Sequence, residues 1–348
     1  MIEIDGSTQE GGGQILRTAL CLSAITRKPC HIFNIRKGRQ KPGLMPQHLS
    51  GLRALAQLCQ AELVGDSLDS QEIWFSPGEI KTKKVSIKIE TAGSITLVLQ
   101  TLIAPSLFSP DSVEISFDGG ATDTFFSPTL DHFRFVFLKI LEKMLSPLSK
   151  LPGEKSVEID VIKRGFYPEG GARIIVKILP SKIKPIFLEE RGALKKVFLV
   201  SGASENLRKN KVAERQISGT KQILGQLKLP LEEKVEYYST IGTGSQINVI
   251  GELENTVFGA DNLGKLGKSA EEVGKETALA FLGQAKSNAC LDKYAADQIL
   301  PFLALAEGKS EVSVSEITLH CKTNIWVIEK FLAGKFKIKD NLISWNPE

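Results

Sequence analysis

His320, one of four histidines in this 348-residue chain, sits in the stretch SEITLHCKTNIWVIEK (315–330), after an alternating run that predicts a strand. An imidazole there could attack an electrophile, ligate a metal or fill a core. Local pattern alone favours an ordinary residue, because most lone histidines carry no chemistry. A histidine nucleophile needs one ring nitrogen free and the other held by an acceptor. Asp297, in ADQILPFLALA, is a residue type that could supply that acceptor or touch a nucleotide, but the sequence does not place it in space. A zinc site at His320 is poorly supported. Cys321 is adjacent and would alternate to the opposite strand face, and no companion ligands stand at zinc spacing. Cys321 reads as a core thiol.

A second set of residues points to anion chemistry. EGGGQILR (10–17) puts three glycines between a strand and a helix, where backbone N–H groups and the helix dipole can face an anion. A plain tight turn is the other reading, and pattern alone does not separate the two. No Walker loop is present: NLGKLGKS (262–269) has Asn262 where the first glycine belongs. The dinucleotide fingerprint is also absent. Arg17 lies one turn into the helix, within reach of the same anion. Glu10 beside a phosphate would need a divalent cation between them, or it is a solvated residue favoured by the helix dipole. IRKGRQKPG (35–43) gathers Arg36, Lys37, Arg39 and Lys41 on a loop framed by proline and glycine, with Gln47 and His48 just beyond. Two arginines three apart suit phosphate oxygens, whereas most charge runs are solvated surface.

These groups must be held by alternating strands and helices. MIEID predicts a strand and QILRTALCLSAITRK a helix; CHIFNI and LMPQHLSGLRALAQLCQAEL repeat the pair. KKVSIKIE with ITLVLQTLIAPSLF, and SVEISFD with LDHFRFVFLKILEKML, repeat it again, and the strands SVEIDVIKRG and ARIIVKILP bracket FYPEGG. Glu-Gly-Gly at 10–12 recurs at 169–171, and Gly-Gly again at 119–120. The order of elements suggests a loosely repeated α/β unit. Residues 184–286 differ in style, with more lysine, a long polar helix (LRKNKVAERQISGTKQILGQL) and strands near KVEYY, SQINVIGEL and NTVFG. The expected architecture is α/β (α+β): a large domain of repeated units from 1–183 and 287–348, with a smaller α/β domain, 184–286, inserted.

Composition bounds the rest. The chain is 42% hydrophobic and 24% charged, with a formal net charge of +4, as for an ordinary globular protein. No apolar run is long enough for a membrane helix, and the acidic, polar start does not read as a signal peptide. Five scattered cysteines (21, 30, 59, 290, 321) suit neither a disulfide framework nor a Cys-rich zinc site. A reducing, cytoplasmic setting is expected.

Taken together, the motifs resemble the RNA 3′-terminal phosphate cyclase family. DGSTQEGGGQILR is similar to its D-G-x-x-x-E-G-G-G-Q-x-x-R pattern and RKGRQKPGLMPQH to its R-x-x-R-x-K-P-G-L-x-x-Q-H. GSITLVLQT resembles its central helix start, GFYPEGG its second glycine turn, and ADQ…LALA with HCKTN its C-terminal nucleotide site. The resemblance implies an ATP-dependent enzyme. His320 would take AMP from ATP, an RNA 3′-phosphate would accept it, and the neighbouring 2′-OH would close a 2′,3′-cyclic phosphate. It also implies that Gln100, Pro128, Tyr294, Asp297 and Gln298 contact ATP, and that Glu10 ligates a divalent cation such as Mg2+ or Mn2+. Arg17, Arg36, Arg39, Gln47 and His48 would grip the phosphates of ATP and the RNA end. Ala172 departs from the pattern, standing where a third glycine is common. The partners implied are ATP and RNA with a 3′-phosphate, with no membrane; oligomeric state is not implied. An alternative is a catalytically idle RNA-binding or ribosome-assembly relative, against which the presence of His320 argues. A weaker one is an enolpyruvyl-transferase-like enzyme built of similar units, which the loop at 36–41 speaks against.

Overall fold

The structure is a computed structural model that describes residues 1–149 and 153–348. The chain starts with β1 (Ile2–Asp5), and the glycines after it lead into α1 (Gly13–Thr26). Next come β2 (Cys30–Phe33), α2 (Pro46–Cys59), β3 (Glu62–Val64) and β4 (Ile73–Ser76). Pro46 opens α2 at the first helical position, where its missing N–H costs nothing. The sheet order is β1-β2-β4-β3, with β1 parallel to β2 and the other pairs antiparallel.

The same path is followed twice more. The second pass runs β5 (Lys84–Ser94), α3 (Ile95–Leu107) and β6 (Val113–Ala121). A helix built of α4 (Leu130–His132), a π-helical turn (Phe133–Phe137) and α5 (Leu138–Glu142) follows. β7 (Leu145–Pro147), β8 (Val157–Lys163) and β9 (Arg173–Ile178) complete it, in sheet order β5-β6-β9-β8. β10 (Ser181–Ile183) pairs with β7 alone. β11 (Phe187–Leu188) then starts a third sheet but is separated from its partners in sequence.

Between β11 and those partners lie β12 (Leu194–Ser204), α6 (Val212–Leu224), β13 (Leu231–Tyr238), β14 (Ser245–Leu253), β15 (Val257–Leu263) and α7 (Ala270–Ala285). They form a sheet of different order, β13-β12-β14-β15. The third pass then resumes with α8 (Lys293–Leu305), β16 (Ser310–Ser313), α9 (Leu319–Phe331), β17 (Gly334–Lys339) and β18 (Leu342–Pro347). Its sheet order is β11-β16-β18-β17, again first-second-fourth-third.

One apolar core runs through the three passes and a second lies in the interposed sheet, where Phe258 stacks on Phe281 with centroids 4.8 Å apart. Full burial of each such ring is worth about 2–3 kcal/mol. α1 is packed against α2, α3 and α9 at once, and Ile15, Leu16, Ala19, Leu20 and Leu22 are all buried. It is therefore a central helix, with Gly13 and Arg17 half-buried in its first turns and Ile25 and Thr26 at its end.

Three expectations need correcting. The run at 315–320 is not strand: β16 ends at Ser313, and Thr318 caps α9 by accepting the Cys321 N–H at 3.1 Å. Cys321 is buried as expected, but on a helix. The long polar helix is split, because residues 205–210 form a 3₁₀ turn and Lys211 has φ +48° before α6 begins. The recurring glycines do not mark equivalent positions either. Gly11 and Gly12 precede α1, Gly119 and Gly120 end β6, and Gly170 and Gly171 lie in the β8–β9 connection. Repetition resides in strand order, not in the glycines.

Candidate active site

The first turns of α1, α2 and α9 meet. Thr323 Oγ1 accepts the Glu10 N–H at 3.4 Å and bonds Gln9 Oε1 at 3.3 Å, joining the glycine loop to α9. A Cβ on Gly13 would overlap His48 Nε2, so only glycine lets α1 and α2 approach this closely. The three helix N-termini bring their positive dipole ends to one place.

His320 is the second residue of α9, with its side chain 48% exposed. Its Nδ1 lies 3.8 Å from Glu10 Oε2, which leaves Nε2 free. Burial, with the positive charges of Arg17 and Arg39, holds the imidazole below its usual 6.5. It is therefore neutral, with a lone pair to offer, at neutral pH. The acceptor beside it is Glu10, not Asp297. Arg39 pairs with Glu10 Oε1 and donates to the Glu10 carbonyl at 3.2 Å. Glu10 Oε2 is buried with no hydrogen-bond partner.

Below this lies a cavity lined by Gln14, Arg17, Gln100, Asp297, Gln298 and Asn324, among others. Gln14 Nε2 donates to Asp297 Oδ2 at 3.3 Å, and Asn324 Nδ2 donates to the Asp297 carbonyl at 2.7 Å. Thr18 Oγ1 donates to Asn324 Oδ1 at 2.6 Å, so α1, α8 and α9 are tied together. Burial lifts the Asp297 carboxyl to about 7 against the pull of Arg17 and Gln14. Burial likewise lowers Arg17 to about 10, with Asp297 opposing. No carboxylate of the described residues forms an ion pair with Arg17, and its Nε has no partner. Gln14 Oε1 and Gln298 Oε1 are also buried and unpartnered. A cation and several polar atoms left open around one cavity are the mark of a site built for an anionic, polar ligand.

The other expected residues lie around this centre. Gln47 and His48 share a second cavity with Arg17. Gln47 Oε1 accepts the Ser94 N–H at 3.2 Å. His48 takes the Met45 N–H on Nδ1, and burial, with Arg17 and Arg36, pushes its pKa down to about 3. It is a neutral histidine. Arg36 spends one amino group on the Gly43 carbonyl at 2.9 Å, bracing its own loop. Pro128 and Tyr294 do not line the first cavity. The Pro128 carbonyl accepts Thr96 Oγ1 at 3.0 Å, and Tyr294 stands half exposed in the first turn of α8.

Sequence reasoning missed His132 and Asp292. Asp292 caps α8, accepting the Tyr294 and Ala295 N–H groups at 2.9 and 2.8 Å, and the Gly259 N–H on its other oxygen. His132, fully buried, faces that oxygen at 3.4 Å, off the line of a hydrogen bond, and presents its ring to Tyr294 at 87°. Burial works to lower its pKa, but Asp292, with Asp261 and Asp297, lifts it to about 8. The available signal was Asp292 two residues before Tyr294, an N-cap residue type ahead of apolar helical spacing.

Together these features define an α/β protein of repeated units with a cationic, polar cavity at converging helix N-termini and a neutral histidine at its rim. Residues 8–338 match the family model described as RNA 3′-terminal phosphate cyclase. Relatives bearing that name include one from Pyrococcus furiosus, 44% identical over 340 residues that cover 97% of this chain and 95% of the relative. One from Archaeoglobus fulgidus is 39% identical over 345 residues, covering 99% of each. The chain belongs to the RNA 3′-terminal phosphate cyclase family. No helix of the described residues is long and apolar enough to cross a membrane.

Proposed function

We propose that the chain is an ATP-dependent enzyme that converts an RNA 3′-terminal phosphate into a 2′,3′-cyclic phosphate. The observation that carries this is His320: a neutral imidazole with Nε2 free, at a helix N-terminus, beside an unpaired arginine and an orphaned carboxylate oxygen. His320 Nε2 attacks the α-phosphorus of ATP, and the bond to pyrophosphate breaks. The imidazolium so formed is stabilised by Glu10 across Nδ1. An oxygen of the RNA 3′-phosphate then attacks that phosphorus, the P–N bond breaks, and an RNA(3′)pp(5′)A end results. The adjacent 2′-OH attacks the 3′-phosphorus and loses its proton; AMP leaves and the ring closes.

Arg17, Arg39, Gln47 and His48 take the phosphates in this reading, with Arg36 holding the loop's shape. Gln100, Asp297 and Gln298 face the nucleotide, with Pro128 and Tyr294 at its edge. A divalent cation fits Glu10 Oε2, since Mg2+ is ordinarily held by one or two carboxylates with substrate phosphates. Among the described residues no group of three His, Cys, Asp or Glu stands together, so Glu10 would be its main protein ligand. When bound, the cation neutralises charge developing on the phosphates. Residues 1–183 with 287–348 form the catalytic domain in this reading, and 184–286 an inserted one. The interposed sheet and its separate core support an inserted unit, but β11 pairs with β16, and Ile186 and Leu188 lie in the large core, which places the start of the insertion after β11 in this reading. A cytoplasmic location is kept as part of the proposal.

The test is transfer of label from ATP carrying a labelled α-phosphorus. Acid-labile, alkali-stable label on the wild type but not on His320→Ala supports the mechanism. Absence of label on folded wild type with a divalent cation would remove it.

A further inference from the structure

Four loops far apart in sequence meet beside the proposed active site: residues 122–128, 165–171, 239–244 and 264–268. The Tyr167 N–H donates to the Asp123 carbonyl at 3.1 Å, and the Phe125 and Tyr167 rings pack edge to face at 5.7 Å. Ile241 fills the space a Cβ on Gly171 would need, and Phe166 does the same at Gly244. The Gly264 N–H donates to the Ser245 carbonyl, and Lys265 Nζ stands 5.2 Å over the Phe125 ring.

Their side chains break the usual economy of a surface. Phe126 is fully exposed, and Tyr167, Ile241 and Leu266 are exposed on the same set of loops. Phe126 is also held at φ +63°, a left-handed conformation that an aromatic residue adopts only at a cost. The chain accepts backbone strain there and gains no burial in return. Such outliers gather where a ligand is bound. Lys265 and Lys268 lie on these loops, as does the exposed Glu169, and Lys268 is paired with Glu276 at 2.6 Å, which leaves Lys265 as the cation over the rings.

The patch is continuous with the phosphate-binding residues. Gln47 holds the Ser94 N–H, and a Cβ on Gly93 would lie 3.2 Å from Gln47 Cβ. One residue back, Ala92 Cα would stand 3.1 Å from a Cβ on Gly170, in the loop that carries Tyr167. Touching backbone thus leads from Gln47 to the aromatic rings.

We infer that this patch is a stacking platform for single-stranded RNA, which takes the bases just upstream of the 3′-phosphate on Phe126 and Tyr167, with Lys265 beside the backbone. Exposed rings with a neighbouring cation bind single strands with little sequence preference. The inference rests on the proposed RNA-end activity and extends it to the body of the substrate.

The experiment compares wild type with the double variant Phe126→Gly, Tyr167→Ala, using anisotropy of a labelled RNA decamer ending in a 3′-phosphate. Glycine suits the left-handed backbone, so Tm is expected to hold or rise. The expected result is a decamer Kd about tenfold weaker, with label transfer from ATP to His320 unchanged. Unchanged decamer binding overturns the platform. Weakened label transfer with intact RNA binding also overturns it, and assigns the loop to the adenine of ATP. A wild type that takes no label defeats the proposed enzyme instead, and the decamer comparison still judges the platform.

Discussion

The protonation of His320 decides whether it can attack ATP. Burial first, then Arg17 and Arg39, depress its pKa below 6.5, so protonation sets in only on the acid side of that value. Label transfer at saturating ATP is therefore expected to stay level from pH 8 down through 6.5 and to fall below it. Arg39→Ala removes one source of the depression, so its acid limb should move to higher pH; a limb that does not move contradicts this account. Glu10→Gln keeps the size of the side chain but loses its charge toward His320, Arg39 and a cation. The expected outcome is label transfer lowered about 10- to 100-fold, with Tm nearly unchanged because the amide fills the same space and relieves a buried carboxylate oxygen that has no partner. These residues were legible because glycines, arginines and a carboxylate cluster in short motifs. Pairing across the chain was not: Glu10 meets Thr323, a contact no local spacing encodes.

α8 carries Tyr294, Asp297 and Gln298 on one rigid element, and its N-terminus is fixed by Asp292 with His132 behind it. A His132 pKa raised to about 8 means the folded state favours the charged ring. Its stabilisation is complete below the ordinary 6.5 and is lost as pH rises through 8. His132→Asn should cost about 1–3 kcal/mol at pH 6, since Asp292 keeps its backbone donors, and less at pH 9, measured by urea unfolding. The same variant should raise the ATP KM more than it lowers the label-transfer rate, since Tyr294 loses its support while His320 is untouched. A fall in rate with KM constant would contradict this positioning role. Element boundaries also mark where sequence reasoning stopped. The alternation in SEVSVSEITLH favours strand, yet Thr318 offers an N-cap, and the packing of Cys321, Asn324 and Ile328 gives the segment to helix. Tertiary burial overrode a local period-two pattern.

Across the whole chain, alternating strands and helices were readable, and the interposed sheet β13-β12-β14-β15 falls inside the lysine-rich stretch whose style differs. What stayed hidden was the shared order first-second-fourth-third of three sheets, because it depends on pairing between strands far apart, and because β3, β4, β17 and β18 were not singled out. The molecule's buried titratable groups make a joint prediction. His48, held near 3, is neutral in the fold but protonated in the unfolded chain below 6.5, so its contribution is complete above 6.5 and is lost as pH falls toward 3. His132 acts oppositely, losing its contribution as pH rises from 6.5 through about 8. Asp297, raised from 3.8 to about 7, also favours the protonated state, and its contribution fades across that interval. The slopes of His48 and Asp297 largely cancel between about pH 4 and 6.5, so ligand-free stability is expected to be nearly level there. Above 6.5 it should fall by on the order of a few kcal/mol, as His132 and the last of Asp297 lose their contributions. Chemical unfolding between pH 4 and 9 should trace that level stretch and the fall beyond it, and Asp297→Asn should uncover a rise toward pH 6.5 that belongs to His48 while leaving the descent through 8 that belongs to His132. A wild-type maximum at pH 8 or above would mean that His132 and Asp297 are not held as their surroundings require.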